Sequence, residues 1–327
     1  MNELYVGIDI GGTKMLAALV DGDGTILSKA RQETLAERGA HDTIDRLIAM
    51  TESLLRESGA AGAEAGIKGI GIAVAGILDP AQGTVVLATN LGWNNVPIGR
   101  MLEERFQCPV NVLNDANAAA LGEWLAGAGA GTEDIVFVTV STGIGGGIVS
   151  GGHLILGFSG SAGELGHISI DRNGPACACG NRGCIELYSS GSAIARRVRN
   201  DIRGGDPRTS PVLRQAGGDA DRLTAQHVAA AAEEGDDYAN EVLTESGSAL
   251  GVGLISIIHL TNPKKVIMGG GVSEIGETLF GPLMETVRKH GIPDLVNPVQ
   301  FVKAKLGEDA GAVGAALWRQ YERMRNA

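Results

Sequence analysis

The chain has 327 residues, 44% hydrophobic and 4% aromatic, with 27 basic against 38 acidic side chains for a net charge of −11. That length passes the size at which one hydrophobic core usually divides, so two domains are expected. The acidic balance argues against nucleic acid or an anionic membrane surface as the main partner.

The N-terminus, MNELYVGIDIGG, lacks a basic region followed by a long apolar run, so no secretory signal is expected and the protein reads as cytoplasmic. Residues 4 to 9 and 15 to 20 are short β-type runs joined by Ile10-Gly11-Gly12-Thr13-Lys14, and Asp21-Gly22-Asp23-Gly24 marks a second turn. This predicts a hairpin with a glycine tip. Gly11 and Gly12 let the backbone approach an anion, while Thr13 and Lys14 offer a hydroxyl and a cation to a phosphate. Threonine and lysine stand in the reverse of Walker order, in a strand-to-strand setting, so a P-loop is excluded. Taken alone, the stretch is equally an ordinary tight hairpin.

Residues 41 to 57 place Ile44, Leu47, Ile48 and Leu55 at helical spacing and predict an amphipathic helix. Strands are expected over 68 to 75 and 84 to 88. The following loop, Thr89-Asn90-Leu91-Gly92-Trp93, combines an amide with an indole and suits a sugar-contacting edge as well as a plain loop. Pro97 opens a short helix, and 109 to 113 makes a strand that ends at Asn114-Asp115, directly before the alanine-rich helix ANAAALGEWLAG. A carboxylate at that junction is held in place and kept ionised by the helix dipole, as a positioned base would be. The other reading makes Asp115 only an N-cap.

The run 135 to 140 leads into Ser141-Thr142-Gly143-Ile144-Gly145-Gly146-Gly147, then Gly151-Gly152. Aligning Asp9 with Ser141 repeats the order strand, glycine tip, strand, glycine turn, so the chain contains two copies of one phosphate-cradling hairpin. No intact GxGxxG fingerprint occurs, and a dinucleotide fold is not supported.

Residues 161 to 186, SAGELGHISIDRNGPACACGNRGCIE, have the spacing His167-x9-Cys177-x-Cys179-x4-Cys184. One imidazole and three thiolates are a common set for a closed tetrahedral structural zinc site. A disulfide or unrelated buried thiols are the bland alternatives, disfavoured because three cysteines cannot pair evenly. Glu164 and His167, three apart, face the same way on a helical turn. One ring nitrogen of His167 can then hold the metal while the other points at whatever Glu164 and Glu186 address. The zinc acts in this reading as a clamp arranging two carboxylates and an imidazole around a polyhydroxylated ligand, against the alternative of a zinc knob with solvated acids. The fourth cysteine, Cys108, reads as a small buried residue.

Further on, 190 to 200 is helical, and 201 to 222, rich in Gly, Pro, Asp and Arg without periodicity, reads as a surface loop. Helices follow at 225 to 234 and about 236 to 260. The second contains the longest apolar stretch, Ala249 to Leu260, which is too short to span a bilayer. A strand at 265 to 268 ends in Gly269-Gly270-Gly271, where bare glycines leave room for a flat heterocycle or ribose, or simply make a turn. The last helix, 309 to 325, has Ala310, Gly311, Gly314 and Ala315 at close spacing and is expected to return to the first domain.

Together DIGGTK (Asp9 to Lys14), NDANAAALGE (Asn114 to Glu123), STGIGGG (Ser141 to Gly147), GELGH (Gly163 to His167), CACGNRGCIE (Cys177 to Glu186) and GGGV (Gly269 to Val272) resemble, in order and context, the ROK family of bacterial sugar kinases and repressors. The likeness is nearest to its glucokinases. It implies an α/β fold of two domains of the actin-like, ribonuclease H-like ATPase type, with duplicated glycine hairpins and a small zinc-binding segment. Its expected limits are 1–115 with the C-terminal helix 305–327 for the small domain and 116–304 for the large one, in a homodimer or higher oligomer. The same resemblance makes Asp115 the general base, and Asn90, Asn114, Asp115, Glu164, His167 and Glu186 the sugar contacts. It makes His167, Cys177, Cys179 and Cys184 the zinc ligands, and Asp9 the acid near magnesium. Gly11, Gly12, Thr13 and Lys14 with Thr142, Gly143, Gly145 and Gly146 become the phosphate loops, and Gly269, Gly270 and Gly271 the nucleoside edge. Thr89 stands where the family pattern has proline, which bears on loop rigidity.

The implied activity is phosphorylation of a hexose, glucose first, at its 6-hydroxyl by ATP with Mg2+. An N-acetylmannosamine or N-acetylglucosamine kinase is the runner-up. A sugar-responsive repressor is expected to carry a helix-turn-helix ahead of the first phosphate loop, which here begins eight residues in. An actin-like ATPase of non-sugar type has no need of the zinc clamp.

Overall fold

The computed structural model describes residues 3–59 and 66–325. In chain order the elements are β1 (Leu4–Ile10), β2 (Lys14–Asp21), β3 (Ile26–Glu33), α1 (Ala40–Glu57), β4 (Ile67–Val74), β5 (Ile77–Asp79), β6 (Thr84–Ala88), β7 (Trp93–Val96), α2 (Ile98–Phe106), β8 (Val110–Asn114) and α3 (Asp115–Leu125). They continue with β9 (Ile135–Val140), β10 (Ile144–Ser150), β11 (His153–Leu154), α4 (Glu186–Ser189), α5 (Gly191–Arg203), α6 (Ser210–Gln215), α7 (Ala225–Glu233) and α8 (Asp237–Thr261). The chain closes with β12 (Lys265–Gly269), α9 (Glu277–His290), α10 (Pro293–Val296), β13 (Gln300–Lys303) and α11 (Ala310–Arg325).

Two compact units result. One comprises Met1–Phe137, Gly147–Gly163 and Ala304–Ala327, and the other Val138–Gly146 and Glu164–Lys303. The division expected after Asp115 falls inside the first unit, because α3 packs along α11. Glu123, fully buried in α3, accepts the backbone amides of Ala128, Lys305 and Leu306 at 2.8, 3.0 and 2.6 Å, which fastens the start of the C-terminal segment to α3. A buried carboxylate is tolerated there because amides satisfy it.

The sheet of the first unit has the order β3-β2-β1-β4-β8. The β1–β2 hairpin is antiparallel, and β1, β4 and β8 run parallel. Alternation along β1 sends Val6, Ile8 and Ile10 into the core that also holds Ile44, Leu47 and Met50 of α1. Tyr5 lies in a second cluster with Ala312 and Ala316 of α11. Gly7 and Asp9 share that face with Tyr5. The sheet and α11 approach so closely that a Cβ on Gly7 would run into the carbonyl oxygen of Ala312. On its other side α11 meets α3 at Gly314, where a Cβ would overlap the carbonyl of Ala118. The small residues read in the C-terminal helix are therefore the contact surface of two packed layers.

The second sheet, β11-β10-β9-β12-β13, repeats the order of a hairpin beside later strands. In the second unit α8 buries Leu250, Leu254, Ile257 and Ile258 and packs along α9. Among the described residues α8 is the one helix long and apolar enough to cross a membrane by length and composition, and it is largely buried.

Two sequence expectations need correction. Trp93 does not line an exposed edge: it is 1% exposed and belongs to the core with Leu91 and Ile98, at the start of a strand too short to read from periodicity. Residues 201 to 222 are not a featureless loop. Asp206 caps the turn Pro207–Thr209, α6 follows, and Asp219 caps Ala220–Arg222. Val212 anchors the segment with no exposure. One buried side chain per turn leaves no period in a sequence.

Replacing Gly314 by valine is expected to lower the melting temperature by several degrees, at a cost of about 1–3 kcal/mol or more for an overpacked core. Calorimetry of the purified variant checks this, and an unchanged transition contradicts the packing described.

Candidate active site

In the first unit the parallel pairing aligns Ile10, Val74 and Asn114 across β1, β4 and β8, so the carboxyl ends of three strands share one edge. Ligands gather at such edges because the following loops converge there. Asp9 stands one residue before the end of β1, and Asp115 begins α3. Burial, followed by the charge of Asp115, pushes the Asp9 carboxyl up to about 7, against the pull of Lys14. Burial also raises Asp115, opposed by the amides of Ala116 and of its own residue. Two partly desolvated carboxylates in each other's field form a site that favours a proton or a cation.

The alternative of Asp115 as mere N-cap is resolved by its neighbour. Asn114 is the cap: its Oδ1 accepts from the amides of Ala116 and Asn117 at 3.0 and 3.2 Å. Asp115 occupies the first helical position with Oδ1 on the Ala116 amide at 2.9 Å. Its Oδ2 has no hydrogen-bond partner among the described residues. The cap also leaves the Asn114 amide nitrogen to donate elsewhere.

The first glycine tip is braced by Thr34, a fully buried residue the sequence reading passed over. Its hydroxyl donates to the Gly11 carbonyl at 2.6 Å and its amide to the Thr13 carbonyl at 2.9 Å. Gly12 lies against Asn90, whose side chain is exposed. Lys14 is paired with Glu308 at 2.6 Å, both largely exposed. Such a pair is worth roughly 0–1 kcal/mol and leaves the ammonium available to a stronger anion. At the start of α11 a Cβ on Gly311 would lie 2.5 Å from Asp9 Oδ2, so glycine is required for the carboxylate to sit where it does.

In the second unit the other glycine tip is closed by the Ser141 amide donating to the Gly143 carbonyl at 2.9 Å. It is tied to α5 by the Gly191 amide on the Ser141 carbonyl at 2.8 Å. Beside it opens a cavity of about 270 Å³ lined by Ser141, Thr142, Ser192, Arg199, Gln226 and Gly271, among others. Arg199 Nε is buried there without a partner among the described residues. Thr142 and Gly271 thus border one pocket. Gly145 and Gly146 continue the strand β10. Gly270 takes φ 84°, and its Cβ position is filled by the Val140 backbone, while Gly269 is buried at the end of β12. Ser192, Arg199 and Gln226 were invisible in the sequence because they come from segments distant in the chain.

His167, Cys177, Cys179 and Cys184 offer four ligand atoms all within 4.8 Å of one another. Cys177 Sγ lies 3.6 Å from His167 Nδ1, and Cys179 Sγ 3.7 Å from Cys184 Sγ. A tetrahedron with metal–sulfur bonds of about 2.3 Å and metal–nitrogen bonds of about 2.0–2.1 Å has edges of roughly 3.6–3.8 Å, so the set fits one zinc-sized ion. Burial pushes the Cys184 thiol up to about 12, while the Asn181 amide lowers that of Cys179. No disulfide is formed: all four cysteines are free. The second ring nitrogen of His167, Nε2, faces Glu164 Oε2 at 3.9 Å across the turn Leu165–His167. Glu186 begins α4 with its carboxylate on the Ile144 amide at 2.8 Å. Cys108 is half-buried, and burial pushes its thiol up to about 11.

Residues 5–322 match the model of the ROK family. The glucokinase of Thermotoga maritima is 41% identical over 312 residues, covering 95% of each chain. Among solved structures, a ROK family glucokinase from Streptomyces griseus, in complex with glucose and AMPPNP, superposes with a TM-score of 0.79 at 36% identity, covering 97% of this chain and 99% of that one. A ROK hexokinase from Thermus thermophilus gives 0.80 at 33%, covering 99% and 100%. The xylose repressor of Bacillus subtilis is 32% identical over 94% of this chain but only 75% of its own length. The mixed α/β architecture is that of ROK sugar kinases within the actin-like ATPases.

The raised pKa of Asp9 makes a pH prediction whose sign follows from it. Its folded-state value, about 7 against the ordinary 3.8, means that the folded chain holds the proton more tightly than the unfolded one. Stability from this group is full at low pH and is lost as pH rises toward 7. In metal-free buffer the wild-type melting temperature should therefore fall relative to Asp9→Asn between pH of about 5 and 7.5. Parallel calorimetric profiles for the two proteins contradict the assignment.

Proposed function

We propose that this chain, which belongs to the ROK family and is a sugar kinase transferring phosphate to a hydroxyl group, phosphorylates the 6-hydroxyl of a hexose, glucose in the first place, with ATP as donor. The observation that carries the reading is Asp115: a carboxylate held at the first position of α3, with one oxygen on an amide and the other without a partner among the described residues, beside a second acid. Its raised pKa brings it nearer to neutral pH, where a general base combines a large ionised fraction with a strong pull on the proton.

In this mechanism Asp115 Oδ2 accepts the proton of the sugar's primary hydroxyl as that oxygen attacks the terminal phosphorus of ATP in line. The amides of the first glycine tip, with Thr13 and Lys14, and those around Thr142 and Gly143 receive the phosphate oxygens. Gly269, Gly270 and Gly271 border the nucleoside, with Ser192, Arg199 and Gln226 on the same cavity. Asn90, the free amide nitrogen of Asn114, Glu164, His167 Nε2 and Glu186 orient the sugar hydroxyls. Asp9 would hold Mg2+, which when bound would offset charge on the donor phosphates and the mutual repulsion of Asp9 and Asp115. His167, Cys177, Cys179 and Cys184 would hold zinc, whose role would be structural, since four protein ligands would leave no position for a substrate. Reduced thiols and ATP accord with an intracellular setting.

Three expected outcomes follow this reading. In a coupled ADP-release assay glucose should exceed mannose, fructose, N-acetylglucosamine and N-acetylmannosamine in kcat/KM; a preference for an N-acetyl sugar replaces the substrate and keeps the mechanism. Asp115→Asn should lose about a hundred-fold or more in kcat while glucose binding persists, and a variant with near-normal turnover removes Asp115 from its role. Elemental analysis should find one zinc per chain, lost in Cys184→Ser together with thermal stability.

A further inference from the structure

Glu186 enters the reading above as a sugar contact, but its carboxylate is already engaged. Oε2 accepts the backbone amide of Ile144 at 2.8 Å, in the tip of the second glycine hairpin. The same oxygen lies 2.5 Å from where a Cβ on Gly143 would stand, so the absence of a side chain at 143 is what admits the carboxylate. The carbonyl of Ile144 is held from the other side: Gly166 packs against it with no room for a Cβ. The amide of Ile144 is thus bonded, and its carbonyl closely packed, by the segment that carries the cysteine–histidine cluster. Gly166 directly precedes His167, and Glu186 follows Cys184 by two positions. The Ile185 amide on the Ile168 carbonyl at 2.9 Å and the Ser169 to Cys184 bridge join these two ends of the segment.

A phosphate loop works through the directions of its amides, and those directions are set by the peptide planes on either side of Ile144. An amide accepted by an ionised carboxylate is held by a charge-assisted bond, about twice as strong as a neutral one. Within the tip itself, the Ser141 amide bonds the Gly143 carbonyl at 2.9 Å. Glu186 is therefore an external restraint on the tip at Ile144.

We propose that Glu186 is the positioning residue of the donor-phosphate hairpin: by holding the Ile144 amide it aims the remaining amides of the tip at the nucleotide, with or without sugar present. This rests on the reading of that hairpin as part of the ATP site. A residue serving the sugar alone has no effect on nucleotide affinity when sugar is absent, which separates the two roles.

The test is calorimetric titration of sugar-free, zinc-loaded protein with AMPPNP and Mg2+. Glu186→Ala should weaken binding about ten-fold or more, the scale of one charge-assisted hydrogen bond. Glu186→Gln, whose amide oxygen can still accept from Ile144, should return most of that affinity. Zinc content measured on the same samples should be one per chain in every variant. Unchanged AMPPNP affinity in Glu186→Ala overturns the proposal, as does a loss that merely tracks missing zinc or a Glu186→Gln variant as weak as the alanine one. Wild-type protein that binds no AMPPNP overturns the reading of the hairpin itself, and the proposal with it.

Discussion

Asp9 and Asp115 repel each other at the carboxyl edge of three parallel strands, and much of the first unit serves to hold them there. Pairing of β1, β4 and β8 sets their spacing, and alternation along β1 turns Asp9 toward α11. Gly311 leaves space for that carboxylate, and Asn114 takes over the capping of α3 so that Asp115 need not. Water would relieve the repulsion by solvating both acids, but burial limits it, and both pKa values are raised.

The second unit solves a different problem. Its glycine tip has one internal bond, the Ser141 amide on the Gly143 carbonyl, and is otherwise short of groups that fix its peptide planes. Rigidity is imported from the neighbouring segment, whose own order comes from four ligand atoms drawn together in a Cys3His cluster. Few apolar side chains lie between 161 and 186, and a short segment without its own core needs such a staple. The cluster, the turn bearing Glu164 and His167, and the helix begun by Glu186 form one connected piece.

Legibility in the sequence followed the range of the interaction. Both hairpins were readable because a strand, a glycine tip and a strand are contiguous, and the Cys3His cluster because its four residues fall within eighteen positions. Asp115 was visible as a carboxylate at a strand-to-helix junction. Thr34 was not, since its role is to tie down a tip more than twenty residues away. Nor were Ser192, Arg199 and Gln226, which reach one cavity from α5 and α7. Trp93 misled because an indole beside an amide in a glycine-containing loop looks like a binding edge, whereas burial of a large ring is the stronger driving force.

By itself the sequence determined the local chemistry: which residues can ligate a metal, which glycines can admit a phosphate, where a helix dipole meets a carboxylate. These depend on residue type and on spacings of a few positions, and they survive in any compact fold that keeps the local conformation. Tertiary structure alone decided which of these groups act on one another. The weakened acidity of Asp9 arises from burial and from a residue over a hundred positions away, and the grip of Glu186 on Ile144 spans forty-two. Desolvation and hydrogen-bond geometry vary over ångströms, whereas separation along a chain says nothing of distance once the chain has folded back on itself.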